Sequence, residues 1–340
     1  MKKNLFIVAS PLQFLNALEA KEYFQTTLNI LLLIYDTNEN ELDAEQKMQL
    51  LNPKDWDEVI HYNLGNINKH YRFFEQIKLI KSLQKFSYQY IFSGEFGIFH
   101  QAIMANMHSN NIYLLDDGTA TIFIYEQLRH KQYFIKLSFS KKLRLMRYKI
   151  ANLDYKIEQN INFFTTFDIQ ELPNSKVIKH NFSYLKAHRL QLCKKTNDIY
   201  ILGQNLIEDK WIKAENYIQY ITKIIEYFNE SKIIYIPHRS EKITEDYQTL
   251  FKYKNFTLQK SDGPIEMAFI YKNIYPTTII SFFSSALFNL DKIFSDTNIY
   301  AIKIDENNLL SHQQVVQKCY TFFHGTNVQL VNKDFTLLPK

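Results

Sequence analysis

The sequence predicts an α/β protein built from two doubly wound halves, and three observations carry that prediction. Short β-type apolar runs alternate with helix-period segments along most of the chain, which argues for parallel sheets covered on both faces. The chain has 340 residues, more than one core usually fills, so two domains of similar size are expected. Hydrophobic residues make up 46% and aromatics 15%, enough apolar surface to offset chain entropy and to exclude global disorder.

Leu5 to Ala9 reads as a strand, Pro11 to Tyr23 as a helix with Leu12, Leu15 and Leu18 on one side, and Ile30 to Tyr35 as a second strand. The opening MKKNLFIVASPLQ has the lysines and short apolar run of a signal peptide, but Gln13, Asn16 and Glu19 fall where its apolar core and cleavage site would lie, so it reads as a first strand. The longest apolar run, Ile30 to Tyr35, is far short of the roughly 20 residues that cross a bilayer, and a soluble chain is expected. Glu58 to Tyr62, Tyr88 to Phe92 and Asn111 to Leu115 read as further strands, the last ending in Asp116-Asp117-Gly118. An amphipathic Tyr71 to Phe86 and a helix from Phe99 lie between them.

The second half repeats the logic. Strands are expected at Ile199 to Leu202, Lys232 to Ile236, Phe256 to Gln259, Thr277 to Phe283 and Asn298 to Ile304. Helices are expected at Ala214 to Phe228 and Glu245 to Tyr253, and opening at Pro264 and Ser284. The polar, poorly periodic stretch Asn181 to Asn197 marks the boundary, giving domains 1–185 and 195–340, with the C-terminal segment free to pack back on the first. No internal repeat or low-complexity tract is visible.

Several function classes drop out. Forty Lys and Arg against 35 Asp and Glu leave +5, a mild excess that falls short of a nucleic-acid footprint. Cys193 and Cys319 stand apart with no further ligand at metal spacing, so neither a zinc site nor a disulfide framework is indicated and a reducing cytoplasm fits. The seven glycines assemble neither GxGxxG nor a P-loop, which argues against nicotinamide and ATP chemistry.

Open α/β sheets bind ligands beyond the carboxyl ends of their strands, where helix N-termini and unpaired N–H groups gather, and two facing sheets make an interdomain cleft. The polar residues expected there are Ser10, Asp116, Asp117, Gly203, Gln204, His238, Arg239, Glu266, Ser281, Ser284 and Ser285. Partial burial beside a like charge raises a carboxylate pKa and suits Asp117 or Asp116 to act as a base. The same Asp-Asp-Gly is ordinary turn chemistry, or one half of a metal carboxylate pair for which no third acidic ligand is identifiable nearby. His238, aimed out of its sheet by Pro237, can protonate or stabilise a leaving phosphate; a solvated surface histidine is the plain alternative. Ser284 and Ser285 open a helix and so form a glycine-free anion site or simply cap it, and Glu266 either offsets a helix dipole or takes ribose hydroxyls. Residues 129–149, RHKQYFIKLSFSKKLRLMRYK, hold eight Lys or Arg and no acid; they suit an anionic bilayer or form a solvated helix face.

Taken in order, SPLQFLNALEA, LLDDGTAT, YILGQNLIED, YIPHRSEK, the PIE at 264–266 and SFFSSALFNL resemble bacterial sialyltransferases. The likeness is most nearly to the lipooligosaccharide sialyltransferases of glycosyltransferase family 52. Related clans, the capsule polysialyltransferases among them, share the acidic-acidic-Gly, His-Pro and Ser motifs. The resemblance spans residues from about 4 to 295 and implies a GT-B fold: two Rossmann-like doubly wound domains facing an interdomain cleft, the first on the acceptor side and the second binding the donor. It further implies a CMP-sialic acid donor, inversion at the anomeric carbon, and no required metal or other cofactor. Carried over by position, Asp117 is the base on the acceptor hydroxyl with Asp116 supporting it, and His238 donates to the departing CMP phosphate. Ser284 and Ser285 bind that phosphate, Glu266 holds the ribose, and Gly203, Gln204 and Ser281 complete the donor site. One departure stands out. Arg239 follows His238 where the pattern has proline, so the proline's shaping of the loop is lost and the donor sugar can differ.

The expected activity is therefore transfer of sialic acid to a galactose-type terminus of a lipooligosaccharide or related surface glycan. Alternatives are a capsule polysialyltransferase, a transferase using CMP-legionaminic or CMP-pseudaminic acid, and an inactive glycan-binding protein on the same fold. The partners expected are a CMP-sugar donor and a glycan or glycolipid acceptor, with no nucleic acid. A cytoplasmic chain touching the inner membrane peripherally through 129–149 is the expected location, and a homodimer is left open.

Overall fold

The computed structural model describes residues 2–38, 41–109, 111–130, 139–261 and 263–337. Two compact units divide between Tyr184 and Leu185. In the first, strands β1 (Lys3–Val8), β2 (Asn29–Tyr35), β3 (Glu58–Asn63), β4 (Tyr88–Ser93), β5 (Ile112–Leu115), β6 (Ile161–Thr165) and β7 (Val177–Lys179) form one parallel sheet in the order β3-β2-β1-β4-β5-β6-β7. Sheets of this kind are covered on both faces, which is why the central strands read as unbroken apolar runs. The strand period of two then sorts the side chains. Phe6, Phe92, Tyr113 and Phe164 share one face, with Phe6 and Phe92 ring centroids 4.6 Å apart and Phe24 closing over the group. Leu5, Ile7, Ile30, Leu32, Ile91, Leu114 and Phe163 fill the core on the other.

The second unit holds β8 (Lys194–Leu202), β9 (Ile233–Ile236), β10 (Phe256–Leu258), β11 (Ile274–Ser281), β12 (Asn298–Ile302) and β13 (Gln329–Val331), all parallel, in the order β10-β9-β8-β11-β12-β13. This is the winding of the first six strands of the other sheet, with β8 in the place of β1 and β11 in that of β4. The α/β class and the two Rossmann-like windings expected from the sequence are what the structure has. The C-terminal segment contributes the edge strand β13.

Departures from the sequence reading have local causes. The stretch from Glu245 is a 3₁₀ helix, Glu245–Leu250, and no α-helix: its buried residues Tyr247 and Leu250 are three apart, the spacing that lines up in a three-residue turn. β8 starts inside the presumed linker because its outer residues are mostly exposed and polar while still pairing with β11 from Lys194 onward. β6, β7, β13 and the helix Thr119–Arg129 carry no reading in the sequence. Residues 131–138 of the basic stretch lie outside the described residues; beyond them the helix Phe139–Ile150 buries Leu145 and Tyr148 and exposes Arg147, Lys149 and Ile150. Among the described residues no helix is long and apolar enough to cross a membrane.

Candidate active site

In each sheet the winding reverses once, between β1 and β4 and between β8 and β11, and ligands of open α/β sheets lie beyond the carboxyl ends of the strands at such a point. In the first unit those ends carry Ser10, Gly94, Glu95, Asp116 and Asp117. Ser10 is extended and caps the helix Pro11–Tyr23, with Pro11 at the first helical position, where the missing N–H costs nothing. Its hydroxyl accepts the Gln13 N–H at 3.3 Å and donates to Asp117 Oδ1 at 3.2 Å, so one side chain links the end of β1 to the end of β5. Gly118 leaves β5 at φ +60°, ψ −142°, a backbone that favours glycine, and the Asp117 N–H donates to Thr121 Oγ1 at 2.9 Å.

The two aspartates have separate environments. Asp116 is buried, and both carboxylate oxygens are taken: Oδ1 by the Thr165 hydroxyl at 2.6 Å, Oδ2 by the Thr166 N–H at 2.6 Å and its hydroxyl at 3.0 Å. Burial pushes its pKa up to about 6, and these hydrogen bonds pull the other way. The raised pKa foreseen for one of the pair is thus found on Asp116, and of the two causes foreseen, burial and a like charge, burial is the one that raises it. Asp117 is half-buried. Behind the pair, Asn16 Nδ2 donates to the Asp116 carbonyl at 3.3 Å.

His100 lies on the helix Ile98–Ala105, buried, with Nδ1 3.6 Å from Glu95 Oε2 and with no hydrogen-bond partner on Nε2. Burial drives its pKa down to about 4, against the opposing charge of Asp117, so the ring is neutral near pH 7. Burial likewise raises Glu95.

The second unit places Gly203 and Gln204 after β8, His238 after β9, Glu266 on the helix Ile265–Tyr271, and Ser281 to Ser285 at the end of β11. Gln204 bridges the reversal: its N–H donates to the Tyr217 hydroxyl at 3.0 Å and its Oε1 accepts the Phe283 N–H at 3.1 Å. Ser281 is buried, and its hydroxyl donates to the Leu202 carbonyl at 2.8 Å, stitching β11 to β8. Ser284 and Ser285 are half-buried at the N-terminus of the helix Ala286–Ile293; Ser284 Oγ accepts the Ala286 N–H at 3.3 Å, and Ser285 makes no side-chain capping bond. Glu266 is buried against Asn289, whose amide donates to it at 2.8 Å; burial raises its pKa, and Asn289 and the Arg239 charge act the other way. His238 is exposed, and the protein crowding its ring and then Arg239 hold its pKa below the ordinary imidazole range.

The structure therefore gathers Ser10, Asp116 and Asp117 at one switch point, and Gly203, Gln204, Ser281, Ser284 and Ser285 at the other. It adds residues that sequence reasoning passed over: Gln13, Asn16, Glu95 and His100 in the first unit, and Tyr217, Tyr235, Glu241 and Tyr247 in the second. Signals for some were present. Gln13 and Asn16 sit three apart in the otherwise apolar run Pro11 to Leu18, Glu95 stands between two of the seven glycines, and Glu241 follows His238 by three residues. Among the described residues no three His, Cys, Asp or Glu side chains gather as a metal site would need.

Two Rossmann-like units in tandem, each with polar side chains at its strand reversal, are the build of a GT-B glycosyltransferase. Within that class the chain belongs to the alpha-2,8-polysialyltransferase family, whose model matches residues 4–303 and so spans both switch points. The matching family is one of the related clans that the sequence motifs brought in; the match does not reach the nearer likeness to glycosyltransferase family 52. Comparison with curated proteins gave no match. Similar solved structures include an alpha/beta-galactoside alpha-2,3-sialyltransferase from the luminous marine bacterium Photobacterium phosphoreum (14% identity over 97% of this chain and 98% of that one, TM-score 0.47). A 2,6-sialyltransferase from a Photobacterium species, in ternary complex with CMP and lactose, is 12% identical over 96% of this chain and 78% of that one, with TM-score 0.46. The UDP-GlcNAc 2-epimerase of Methanocaldococcus jannaschii, with UDP-GlcNAc and UDP, is 16% identical over 98% and 90%, with TM-score 0.49.

Proposed function

We propose that the chain transfers sialic acid from CMP-sialic acid to the end of a glycan, and that this end is itself a sialic acid. The observation that supports the reading is the polysialyltransferase match over both switch points, which favours a growing sialic acid polymer over the galactose-type acceptor of a lipooligosaccharide. The bond to be broken joins the anomeric carbon to the CMP phosphate and opens through an oxocarbenium-like state. The reaction therefore needs a base on the attacking hydroxyl and charge stabilisation on the departing phosphate.

Asp117 takes the acceptor proton, and Asp116, fixed by Thr165 and Thr166, holds the turn that presents it. His238 donates to the leaving phosphate. The second pKa of a phosphate monoester is about 6, so at neutral pH this oxygen needs a hydrogen bond more than a proton, and a neutral imidazole suffices. Ser284 and Ser285 with the helix N-terminus bind the phosphate, Glu266 takes a ribose hydroxyl, and Gly203, Gln204 and Ser281 shape the donor site. Attack opposite the phosphate inverts the anomeric centre. No step calls on a metal, and a chelator is expected to leave the rate unchanged.

The test mixes the full chain with CMP-Neu5Ac and either oligosialic acid or lactose and follows CMP release and product mass. Extension of the oligosialic acid supports the reading. Release with lactose alone assigns the galactose-type acceptor instead, and release with neither overturns sialyl transfer from this donor; CMP-legionaminic and CMP-pseudaminic acid in its place identify the sugar.

A further inference from the structure

The loop that carries His238 folds back on itself within four residues. The His238 N–H donates to Glu241 Oε2 at 2.8 Å, the Glu241 N–H returns to the His238 carbonyl at 2.8 Å, and the Ser240 N–H donates to His238 Nδ1 at 3.2 Å. Glu241 reaches further. Its Oε1 accepts the hydroxyls of Tyr235, on β9, and of Tyr247, the second at 2.5 Å. The Tyr235 hydroxyl is 3.0 Å from that of Tyr217, which accepts the Gln204 N–H. A chain of hydrogen bonds thus runs from the turn after β8, through the buried Tyr217 and Tyr235 to the Glu241 carboxylate and so to the turn after β9, and Tyr247 braces the carboxylate from the side.

Gly203 is the other half of this arrangement. A Cβ there would lie 2.5 Å from the Tyr235 hydroxyl and closer still to Glu241 Oε2, so only glycine leaves the carboxylate its place on the His238 N–H. Burial raises the Glu241 pKa, and its hydrogen bonds from Tyr235, Tyr247 and the His238 N–H act against that rise.

The turn decides which ring nitrogen of His238 carries the proton. A neutral imidazole has one N–H, and the nitrogen that accepts the Ser240 N–H must be the bare one, which puts the hydrogen on Nε2, the outer nitrogen. Residue 239 is arginine, so no proline ring restricts the backbone there. We propose that Glu241, seated by Tyr235, Tyr247 and the open face of Gly203, is the positioning residue of His238: it closes the turn and thereby fixes the Nε2–H form. The proposal rests on His238 as the donor to the departing phosphate for its consequence, but its geometry can be tested apart from that reading.

The experiment uses the full chain labelled with ¹⁵N. Long-range ¹H–¹⁵N correlation reports the tautomer of each histidine ring, and comparison with His238→Asn assigns the His238 signals. The wild type is expected to show the Nε2–H form. Glu241→Ala is expected to show averaged tautomers, and so is Gly203→Ala, which keeps every hydrogen-bonding side chain and displaces the carboxylate from the β8 side. Glu241→Gln is expected to restore the single form, because its amide oxygen can take the His238 N–H while its NH₂ donates to the two tyrosine oxygens.

In turnover, kcat for CMP release should fall about tenfold or more in Glu241→Ala and Gly203→Ala and return to within about threefold of wild type in Glu241→Gln, with CMP affinity changed about twofold at most across the Glu241 pair. An unaltered Nε2–H signal in Glu241→Ala, or in Gly203→Ala should the first not fold, overturns the proposal. The expected tautomers without CMP release in any protein support the positioning and overturn the sialyltransferase reading alone.

Discussion

The two units share one winding but stiffen their strand reversals in different ways. In the first, the reversal is backed by buried groups of several chemistries: Gln13 and Asn16 on one helix, Asp116 held by two threonines, and His100 beside Glu95. In the second, the corresponding place is held by tyrosine hydroxyls converging on Glu241 and by the Gln204 amide. The difference suits the proposed division of labour. A carboxylate that must accept a proton gains from neighbours that hold its turn while leaving it half-buried, whereas an imidazole that must donate a hydrogen bond gains from a turn that selects one tautomer. Topology repeats where no sequence repeat is visible, because the winding needs only apolar strands and helix faces, and the polar backing is free to diverge.

The sharpest way to break this comparison is to remove one reactive group from each unit. Asp117→Asn should lower kcat for CMP release by about 10²- to 10⁴-fold while CMP binding, measured by calorimetry, stays at the wild-type value. His238→Ala should lower kcat by about 10²-fold and leave acceptor KM unaltered. Full activity in the aspartate variant would remove the base assignment, and a loss of CMP binding there would mean that the units do not divide the substrates as proposed.

A second test uses acid. His100 titrates at about 4 in the folded protein and near 6.5 unfolded, so the unfolded chain binds the extra proton between those values. Its contribution to stability is complete above pH 6.5 and is lost as pH falls towards 4, by about 3 kcal/mol. His180, buried with its ring stacked on Phe164 and pushed down to about 3, acts in the same direction. Asp116, raised to about 6, acts in the opposite one: the folded state holds the proton between pH 6 and 3.8, so its contribution grows as pH falls. Burial raises Glu95 as well, but the two histidines, pushed down to about 4 and about 3, outweigh the two carboxylates and leave the first unit weakened by acid. In the second unit burial raises Glu241 and Glu266, which favours the fold as pH falls, against the single lowered histidine His238. Hydrogen exchange at pH 4.5 against pH 7 should therefore show β1, β4 and β5 losing protection relative to β8 and β11. His100→Gln should flatten that dependence, and equal losses in both sheets would sink the contrast.

These contrasts also mark how far the sequence could be read. Strands such as NILLLIY and IIYI declare themselves because a strand buried on both faces must be apolar throughout, and the acidic pair at 116–117 could be placed because it ends such a run. Alternation predicts the parallel sheets, whereas the strand order that locates the reversal points is a matter of the fold as a whole. What could not be read is how polar atoms pair in three dimensions. Asn16 served only to argue against a signal peptide, yet its amide reaches the Asp116 carbonyl 100 residues away. Tyr235 reads as one more core aromatic until its hydroxyl is seen on Glu241. His100 looks like any helical histidine, because burial is a property of the whole unit and leaves no mark on local spacing. Gly203 was legible as a strand-end candidate for the donor site, but the side chain its missing Cβ makes room for, the Glu241 carboxylate, was not.

The smallest effects compare two serines at the two reversals. Ser281→Ala removes a buried donor and leaves the Leu202 carbonyl without that hydrogen bond, at a cost of about 1–3 kcal/mol of stability. Ser10→Ala removes a helix cap at a partly buried position and should cost less, about 1 kcal/mol. In turnover the order should reverse. Ser10 donates directly to Asp117, and a neutral donor to a carboxylate shapes where that carboxylate points, so its loss should lower kcat by about two- to tenfold. The Ser281 hydroxyl hydrogen is directed at Leu202, one residue before Gly203, so its removal should act through the shape of that loop and appear as weaker CMP binding, with kcat at saturating donor little changed. Chemical denaturation and initial rates on the same two variants test both orders at once. If one serine led in stability and turnover alike, the two reversals would be doing the same work, and the separation of base from donor site between the units would lose its support.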